Sequence, residues 1–472
     1  MEINKFYING EWVSPDGSEI IEIFNPATEE KIGQVTSGSI KDVNDAVKSA
    51  NNAFEVASNL ELDEKKKILE EILEGMQERR ADFAEVISQE MGAPRKMAAG
   101  AQFGAGTIHF KNTLAVLDNF RFQEIHDNIT INKLPIGPVG MVTPWNWPLN
   151  QMCTKIASAI AAGTSFVVKP SEITPSAANI LAEIIDKTSL PRGIFNLIHG
   201  YGHVVGRAMS CHKGLEMISF TGSTRAGIDI QKNAADNIKR VSLELGGKSP
   251  NLIMDDVDLE KAVKMGMTQC FFNTGQSCSA PTRMLVPESV HDKAVEIAVS
   301  NAESMVTGDP EAEDTFLGPI SNKAQYEKVQ ELIQVGINEG AKLACGGIGR
   351  PEGLRKGYFV KPTVFANVNN GMRIAQEEIF GPVISIIPYR DLEEAIAIAN
   401  DTAYGLSSMI SCANLDKGQE VAKKIRAGQV VLNRISRGDY PAPFGGFKMS
   451  GNGREHGTFG IEEYLEVQAV IT

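Results

Sequence analysis

A chain of 472 residues exceeds what one hydrophobic core organises, so at least two domains are expected. With 42% apolar and 22% charged residues the composition is that of an ordinary folded protein, and a formal net charge of −13 without any basic tract excludes general attraction to nucleic acid or anionic membranes. The six cysteines contain no Cys-x-x-Cys pair, so neither a disulfide framework nor a cysteine zinc site is indicated.

The N-terminus, MEINKFYINGEW, lacks the basic start and apolar core of a signal peptide, and the apolar stretch 152–168 carries Lys155 inside it; the protein reads as cytoplasmic, with no membrane partner. Helical periodicity follows at 41–58 and 64–91, the charged positions marking solvated faces. The run FRFQEIHDNITINKLPIGPVG, 120–140, alternates like a hairpin. Beyond it, short β runs at GMVTP, SFVVKP, GIFNLI and MISFTG are each followed by a helix-like stretch, the pattern of βαβ units on a parallel sheet. That implies a doubly wound α/β domain. After LELGGKSPNLIM the alternation begins again, with helices from Asp258, near Val290, near Lys323 and at 391–402, so a second α/β domain is expected from about residue 248. The terminal YLEVQAVIT is a strand without an obvious partner in its own domain. Exposed edges are usually covered, often by another subunit, so the hairpin and this strand predict a homodimer or homotetramer.

Glycine-rich turns between strand and helix let backbone N–H groups approach an anion. IHGYGHVVGR offers Gly200, Gly202 and Gly206; SFTGSTRAG offers Gly222 and Gly227 after the strand Met217 to Phe220. Either is also an ordinary turn, but their succession in one domain points to a dinucleotide. In VVKPSE a strand ends on Lys169 with Glu172 just beyond, where a carboxylate can bind ribose hydroxyls and repel the 2′-phosphate of NADP; a surface ion pair fits the spacing equally. TPWNWPLN sets Asn146 in a proline-stiffened loop, able to offer an amide to an oxyanion or simply to pack beside two tryptophans. VSLELGGKSP places Glu244 before two glycines, as a general base that can move or as a local cap. In NTGQSCSAPTR the small neighbours Ser277 and Ser279 leave the Cys278 sulfur accessible, although a lone cysteine taken by itself reads as a buried thiol. The seven histidines give no metal site: His199 and His203 are four apart, but the intervening glycines argue against a helix.

Together these pieces resemble the NAD(P)-dependent aldehyde dehydrogenase superfamily nearly end to end, through YINGEW, NPATEE, TPWNWP, KPSE, FTGST, LELGGKSP, GQSCSAPTR, QEEIFGPV, PFGGFKMSGNGRE and YLEV. The resemblance implies two doubly wound α/β domains plus a small β oligomerisation segment. Residues 1–117 with 137–247 would bind the dinucleotide, 248–455 would form the catalytic domain, and 118–136 with 456–472 would supply the oligomerisation strands. It makes Cys278 the nucleophile, Glu244 the general base and Asn146 the oxyanion donor, with Lys155 and Glu466 matching a proton-relay pair. The cofactor is NAD in preference to NADP. Lys169 and Glu172, with Ser171 beside them, would hold the adenosine ribose, and Gly202 would flank adenine. Ser223 and Trp145 would lie at the pyrophosphate, near Phe220 and Gly222; Glu378 would bind the nicotinamide ribose and Phe380 would pack against that end. The implied reaction is aldehyde to carboxylic acid through a thioester on Cys278.

Some positions depart from the family's commonest pattern. Ser277 and Ser279 flank the nucleophile, and Trp147 stands where Phe or Tyr is frequent. By resemblance Asn150, Gln151 and Thr154 line the substrate tunnel, which they make polar. Arg434 and Arg437 approach the loop that borders the substrate, so an aldehyde bearing a polar or anionic group is expected, unless these arginines only pair with Asp439 or Glu455. Two other classes stay open on the residues alone: a cysteine hydrolase, though no histidine lies within ten residues of Cys278, and a non-catalytic relative.

Overall fold

The computed structural model describes residues 2–435 and 442–472. Two seven-stranded sheets dominate it. The first runs in the order Arg240–Glu244, Met217–Thr221, Val139–Val142, Phe166–Lys169, Phe195–Leu197, Phe6–Ile8, Glu11–Val13. The first five of these are parallel, and the last two form an antiparallel N-terminal hairpin on the edge. The chain leaves Val139–Val142 in one direction and returns to Met217–Thr221 on its other side, so the strand order reverses between these two strands. Crevices at such switch points, beyond the carboxyl ends of the strands, are where open α/β sheets bind ligands.

The second sheet runs Lys342–Cys345, Thr363–Ala366, Val383–Tyr389, Arg283–Pro287, Pro250–Ile253, Ser407–Ser411, Gln429–Leu432, parallel except for its first strand. Its strands are buried throughout in Pro250–Ile253, Arg283–Pro287 and Ser407–Ser411, as expected of a parallel sheet covered on both faces. After the second sheet the chain returns to the first: Ile461, Tyr464 and Leu465 pack into the core formed by helix Pro148–Ala162 and its neighbours.

Local sequence explains the helices that frame the site. Ser39 caps Ile40–Ser58, its hydroxyl accepting from the Asp42 backbone while the Asp42 carboxylate accepts from the Ser39 backbone. Pro148 at the first position and Gly163 in the left-handed region bound Pro148–Ala162. The periodic stretch expected as 64–91 is two helices, Leu62–Glu78 and Arg80–Met91, because Arg79 leaves helical geometry at φ −99°, ψ 15° and redirects the second helix to bury Phe83 and Ile87.

The terminal strand has the partner that its sequence did not reveal. Leu465–Ile471 pairs antiparallel with Ile129–Pro135, from Leu465 opposite Pro135 to Ile471 opposite Ile129, and Gln123–His126 completes a three-stranded sheet. A further small sheet at Glu2–Ile3, Glu30–Thr36 and Ile20–Asn25 was not legible in the sequence. No helix among the described residues is long and apolar enough to cross a membrane, and no cluster of metal-ligating side chains occurs among them.

Candidate active site

The carboxyl ends of the first sheet face the amino ends of the second. From the first come the loop after Val142, with Trp145 and Asn146, the loop after Lys169, with Glu172, and Glu244 at the end of its own strand. From the second come segments that precede strands: Gly246 and Gly247 before Pro250, Cys278 before Arg283, Glu378 and Phe380 before Val383. Contacts cross this seam. Asn146 Nδ2 donates to the Gln276 carbonyl at 2.9 Å, and the Trp145 and Phe380 rings meet edge to face at 5.5 Å; on the second side the Gly247 N–H donates to Glu378 Oε1 at 3.0 Å.

The nucleophile loop is held in an unusual backbone. Asn273, Thr274 and Gly275 are all left-handed, with φ of 55°, 56° and 71°. A β-branched residue there stores about 1–3 kcal/mol. The surroundings impose it: Gln102 Nε2 reaches Asn273 Oδ1 at 3.1 Å, Thr274 Oγ1 reaches the Gly318 carbonyl at 3.2 Å, and the Ser321 N–H reaches Gln276 Oε1 at 2.9 Å. Gly275 has no substitute, since a Cβ there would lie 2.2 Å from the Gly381 carbonyl oxygen. Beyond the loop Arg283 is wholly buried and donates to the carbonyls of Lys248, Ile398 and Ala399 and to Asn370 Oδ1, pinning the strand that follows Cys278. Asn273 and Arg283 bound the motif NTGQSCSAPTR, which was their available signal, whereas Gln102 carries none.

Cys278 is half-buried between Ser277 and Ser279. Burial, then the charges of Glu378 and Glu244, push its thiol well above the ordinary range, against the Ser279 N–H, which favours the thiolate. Glu244 is 2% exposed and neither carboxylate oxygen has a hydrogen-bond partner among the described residues. Burial first, and the nearby Glu455 charge second, raise its carboxyl well above the usual carboxylate range, while Lys155 and Arg454 pull it down. A carboxyl in that state is a stronger base than a solvated one.

Lys155 has a different partner from the one expected. Its ammonium, 1% exposed, bonds Glu455 at 2.6 Å and Ser219 Oγ at 3.0 Å, and Tyr464 OH donates to the same Ser219 oxygen at 3.2 Å. Glu466 lies on the surface and pairs with Arg240. The reason is register: Glu466 stands in the terminal strand opposite Leu134, outside the core that holds Lys155. Glu455 ends the motif PFGGFKMSGNGRE, which was its available signal.

In the crevice of the first sheet, Lys169 bonds Glu172 at 3.0 Å and the Pro170 carbonyl at 2.8 Å. Burial works against the Glu172 charge, but the Lys169 ammonium and the Glu172 and Gly202 N–H groups outweigh it and hold the carboxyl below its ordinary value. Ser171 is buried and its Oγ accepts from the Ile173 N–H. Ser223 caps the helix Thr224–Ala235, next to Gly222, where a Cβ would lie 2.4 Å from the buried Phe220 ring. His199 is buried against Asn179, and His203 stacks near Tyr201.

On the other side of Cys278, the Trp147 indole N–H donates to Ser277 Oγ at 2.9 Å and its ring packs near Phe272. Gln151 and Thr154 are buried, whereas Asn150 is half-buried. Arg434 is exposed just beyond Gln429–Leu432; Arg437 and Asp439 lie outside the described residues, and Glu455 is engaged by Lys155.

Known proteins resemble this chain over nearly its whole length. Residues 12–470 match the model of the aldehyde dehydrogenase family. A 3-succinoylsemialdehyde-pyridine dehydrogenase from a Pseudomonas species is 47% identical over 471 residues, covering 100% of this chain and 98% of that protein. Among solved structures, a Cys-to-Ala variant of aldehyde dehydrogenase C from Pseudomonas syringae, complexed with NAD+ and octanal, superposes with a TM-score of 0.98 at 46% identity, covering 99% of this chain and 96% of that one. An aldehyde dehydrogenase from Bartonella henselae has a TM-score of 0.98 at 45% identity, covering 100% and 99%. The expected two-sheet α/β architecture is the fold of these structures, and the chain belongs to the aldehyde dehydrogenase family.

Proposed function

We propose that this protein oxidises an aldehyde to its carboxylic acid with NAD, through a thiohemiacetal and a thioester on Cys278. The observation that carries the reading is the convergence, on the seam between the two sheets, of an accessible thiol, an amide donor tied to the thiol's own loop, and a buried carboxylate with no protein partner among the described residues. The same seam supports a division into a dinucleotide-binding part, 1–117 with 137–247, and a catalytic part, 248–455.

The residues present fit NAD. Gly202 opens on free space, since a Cβ at this position would meet nothing within 4 Å, and its N–H lies toward Glu172. Lys169 and Glu172 would hold the adenosine ribose, the capped end of Thr224–Ala235 with Ser223 the pyrophosphate, and Glu378 with Phe380 the nicotinamide end. A Glu172 held ionised disfavours the 2′-phosphate of NADP. NAD held by these residues would supply the acceptor for the hydrogen and electron pair that leave the carbon attached to Cys278.

The chain's own residues do the rest. Because burial holds Cys278 as a thiol, its proton must leave as the sulfur bonds to the aldehyde carbon, and Glu244 is the base with free oxygens. The second proton of Asn146 Nδ2, not used on Gln276, and the Cys278 N–H stabilise the oxyanion. Once that proton has passed to solvent, the Glu244 carboxylate deprotonates a water that attacks the thioester carbonyl; collapse breaks the C–S bond, releasing the carboxylic acid and the Cys278 thiolate, which takes the proton back from Glu244 and restores the thiol. The Lys155–Glu455 pair, in the core behind Glu244, replaces Lys155–Glu466 in the proposed relay.

The relative named for 3-succinoylsemialdehyde-pyridine and the octanal complex support an aldehyde with a chain or ring beyond its reacting carbon. Exposed Ile125, Val467 and Ile471 on the terminal sheet support a homo-oligomer, and six free cysteines suit the cytoplasm. The test is NADH formation over a panel of aldehydes with both cofactors and with Cys278→Ser. Turnover by the Ser variant at the parent rate overturns the nucleophile; a higher kcat/KM with NADP overturns the cofactor; ester hydrolysis without NAD, and no NADH from any aldehyde, favours a hydrolase.

A further inference from the structure

Helix Pro148–Ala162 is buried at every position but one. The exception is Asn150, one turn along from Trp147, whose indole binds Ser277 beside the nucleophile. Residues three apart share a helix face, so half-buried Asn150 lies on the side of the helix that carries Trp147.

Its amide does not swing freely. Asn150 Oδ1 lies 2.6 Å from Nε2 of His109, a buried side chain on the adjacent helix Phe103–Leu117. A carbonyl oxygen only accepts, so Nε2 carries the proton. Burial, then the neighbouring His456, depress His109 to about 3, which leaves a neutral imidazole whose one N–H is committed to Asn150. The His456 ring lies 4.7 Å from His109 and is backed by Phe444 at 5.6 Å; burial, then Lys155, depress it to about 4, so it too is uncharged. With Oδ1 turned toward His109, the Nδ2 amide protons remain, and they make no hydrogen bond to any described residue. Aromatic rings lie on either side of the pair along the chain of contacts: Trp147 packs near Phe272, and Phe444 backs His456.

Resting on the aldehyde-oxidising reading of Cys278, we propose that the His109–Asn150 pair is the specificity element of this site, a fixed neutral amide donor that receives an uncharged hydrogen-bond acceptor carried in the aldehyde's chain, such as a ketone or ether oxygen. Two features argue for an uncharged acceptor over a carboxylate. The histidines beside the amide carry no charge, and the buried cation near them, Lys155, is already paired with Glu455. His109 acts as a positioning residue, since it touches Asn150 and not the substrate.

The experiment compares kcat/KM with NAD for a 4-oxo-alkanal and for the alkanal in which a methylene replaces the ketone, reading the ratio of the two within each variant. Wild type should favour the oxo-aldehyde, and Asn150→Leu should reduce that ratio about tenfold, the equivalent of about 1.4 kcal/mol. His109→Phe should reduce it in the same direction, and His109→Gln, which keeps an amide N–H where Nε2 stood, should restore part of it. Misfolding lowers both rates and leaves the ratio in place, and Asn150→Leu alters a position already partly open to solvent. An unchanged ratio in Asn150→Leu overturns the proposal while leaving aldehyde oxidation standing. Selective loss of an ω-carboxylated aldehyde in that variant also overturns it, in favour of charge recognition. Absence of NADH from every aldehyde with wild-type protein removes the underlying reading and this inference with it.

Discussion

Replacing Asn146 by Ala removes one amide whose two protons have separable duties. The first is bonded to the Gln276 carbonyl at 2.9 Å, but that oxygen also accepts from Asn273 Nδ2 at 3.2 Å and so remains satisfied in the variant. The backbone carbonyl of residue 146, which accepts from Gln102 at 3.1 Å and Asn273 at 3.0 Å, is kept by Ala. The stability cost is therefore that of one neutral hydrogen bond with its acceptor still paired, about 1 kcal/mol. The second proton is the oxyanion donor, and loss of such a donor costs about 2.7–4 kcal/mol in the transition state, a fall in kcat of about a hundred- to a thousandfold. Steady-state NADH formation measures the fall, and the rate of Cys278 alkylation by iodoacetamide reports whether the nucleophile loop is intact. A kcat within about threefold of wild type would refute the donor role. An alkylation rate that falls in parallel with kcat would refute the separation of duties and make Asn146 a structural clamp.

The relay can be assigned by pH profile. Glu455→Gln removes a charge that raises the Glu244 carboxyl and leaves Lys155 unneutralised, so the acid limb of thioester hydrolysis should move to lower pH; Glu466→Gln, on the surface with Arg240, should not move it, and the reverse pattern would restore the Lys155–Glu466 pairing. Gly275→Ala meets both a left-handed φ of 71° and the Gly381 carbonyl at 2.2 Å, so it should abolish turnover in a protein whose circular dichroism is unchanged; full activity would show that the loop can relax. Buried Glu90, against the Ser176 N–H at 3.2 Å, has its carboxyl raised to about 8 by burial. The neutral acid is what the fold holds, so its contribution is complete below the ordinary carboxylate range and is lost as pH rises through about 8; the Tm of wild type should fall more steeply toward alkaline pH than that of Glu90→Gln.

What the sequence by itself determined was of two kinds. Local periodicity delivered the helix observed at Ile40–Ser58 and the strands Val139–Val142, Phe166–Lys169 and Met217–Thr221, because apolar spacing and capping residues act within a few positions of the chain. Ordered motifs delivered the α/β fold and the family, because their succession is far more specific than any one of them. The tertiary structure decided what depends on rotation and register. Asn150 and Gln151 are adjacent, yet a helix turns about 100° per residue, and only tertiary packing buries the second while leaving the first half-buried against His109 of Phe103–Leu117. Glu455 and Glu466 both lie some three hundred positions beyond Lys155, and only the pairing of the terminal strand with Ile129–Pro135 carries Glu466 to the surface and leaves Glu455 on the ammonium. The kink at Arg79, the left-handed turn at 273–275 and the Arg283 anchor likewise come from contacts between distant segments, which no short window of sequence contains.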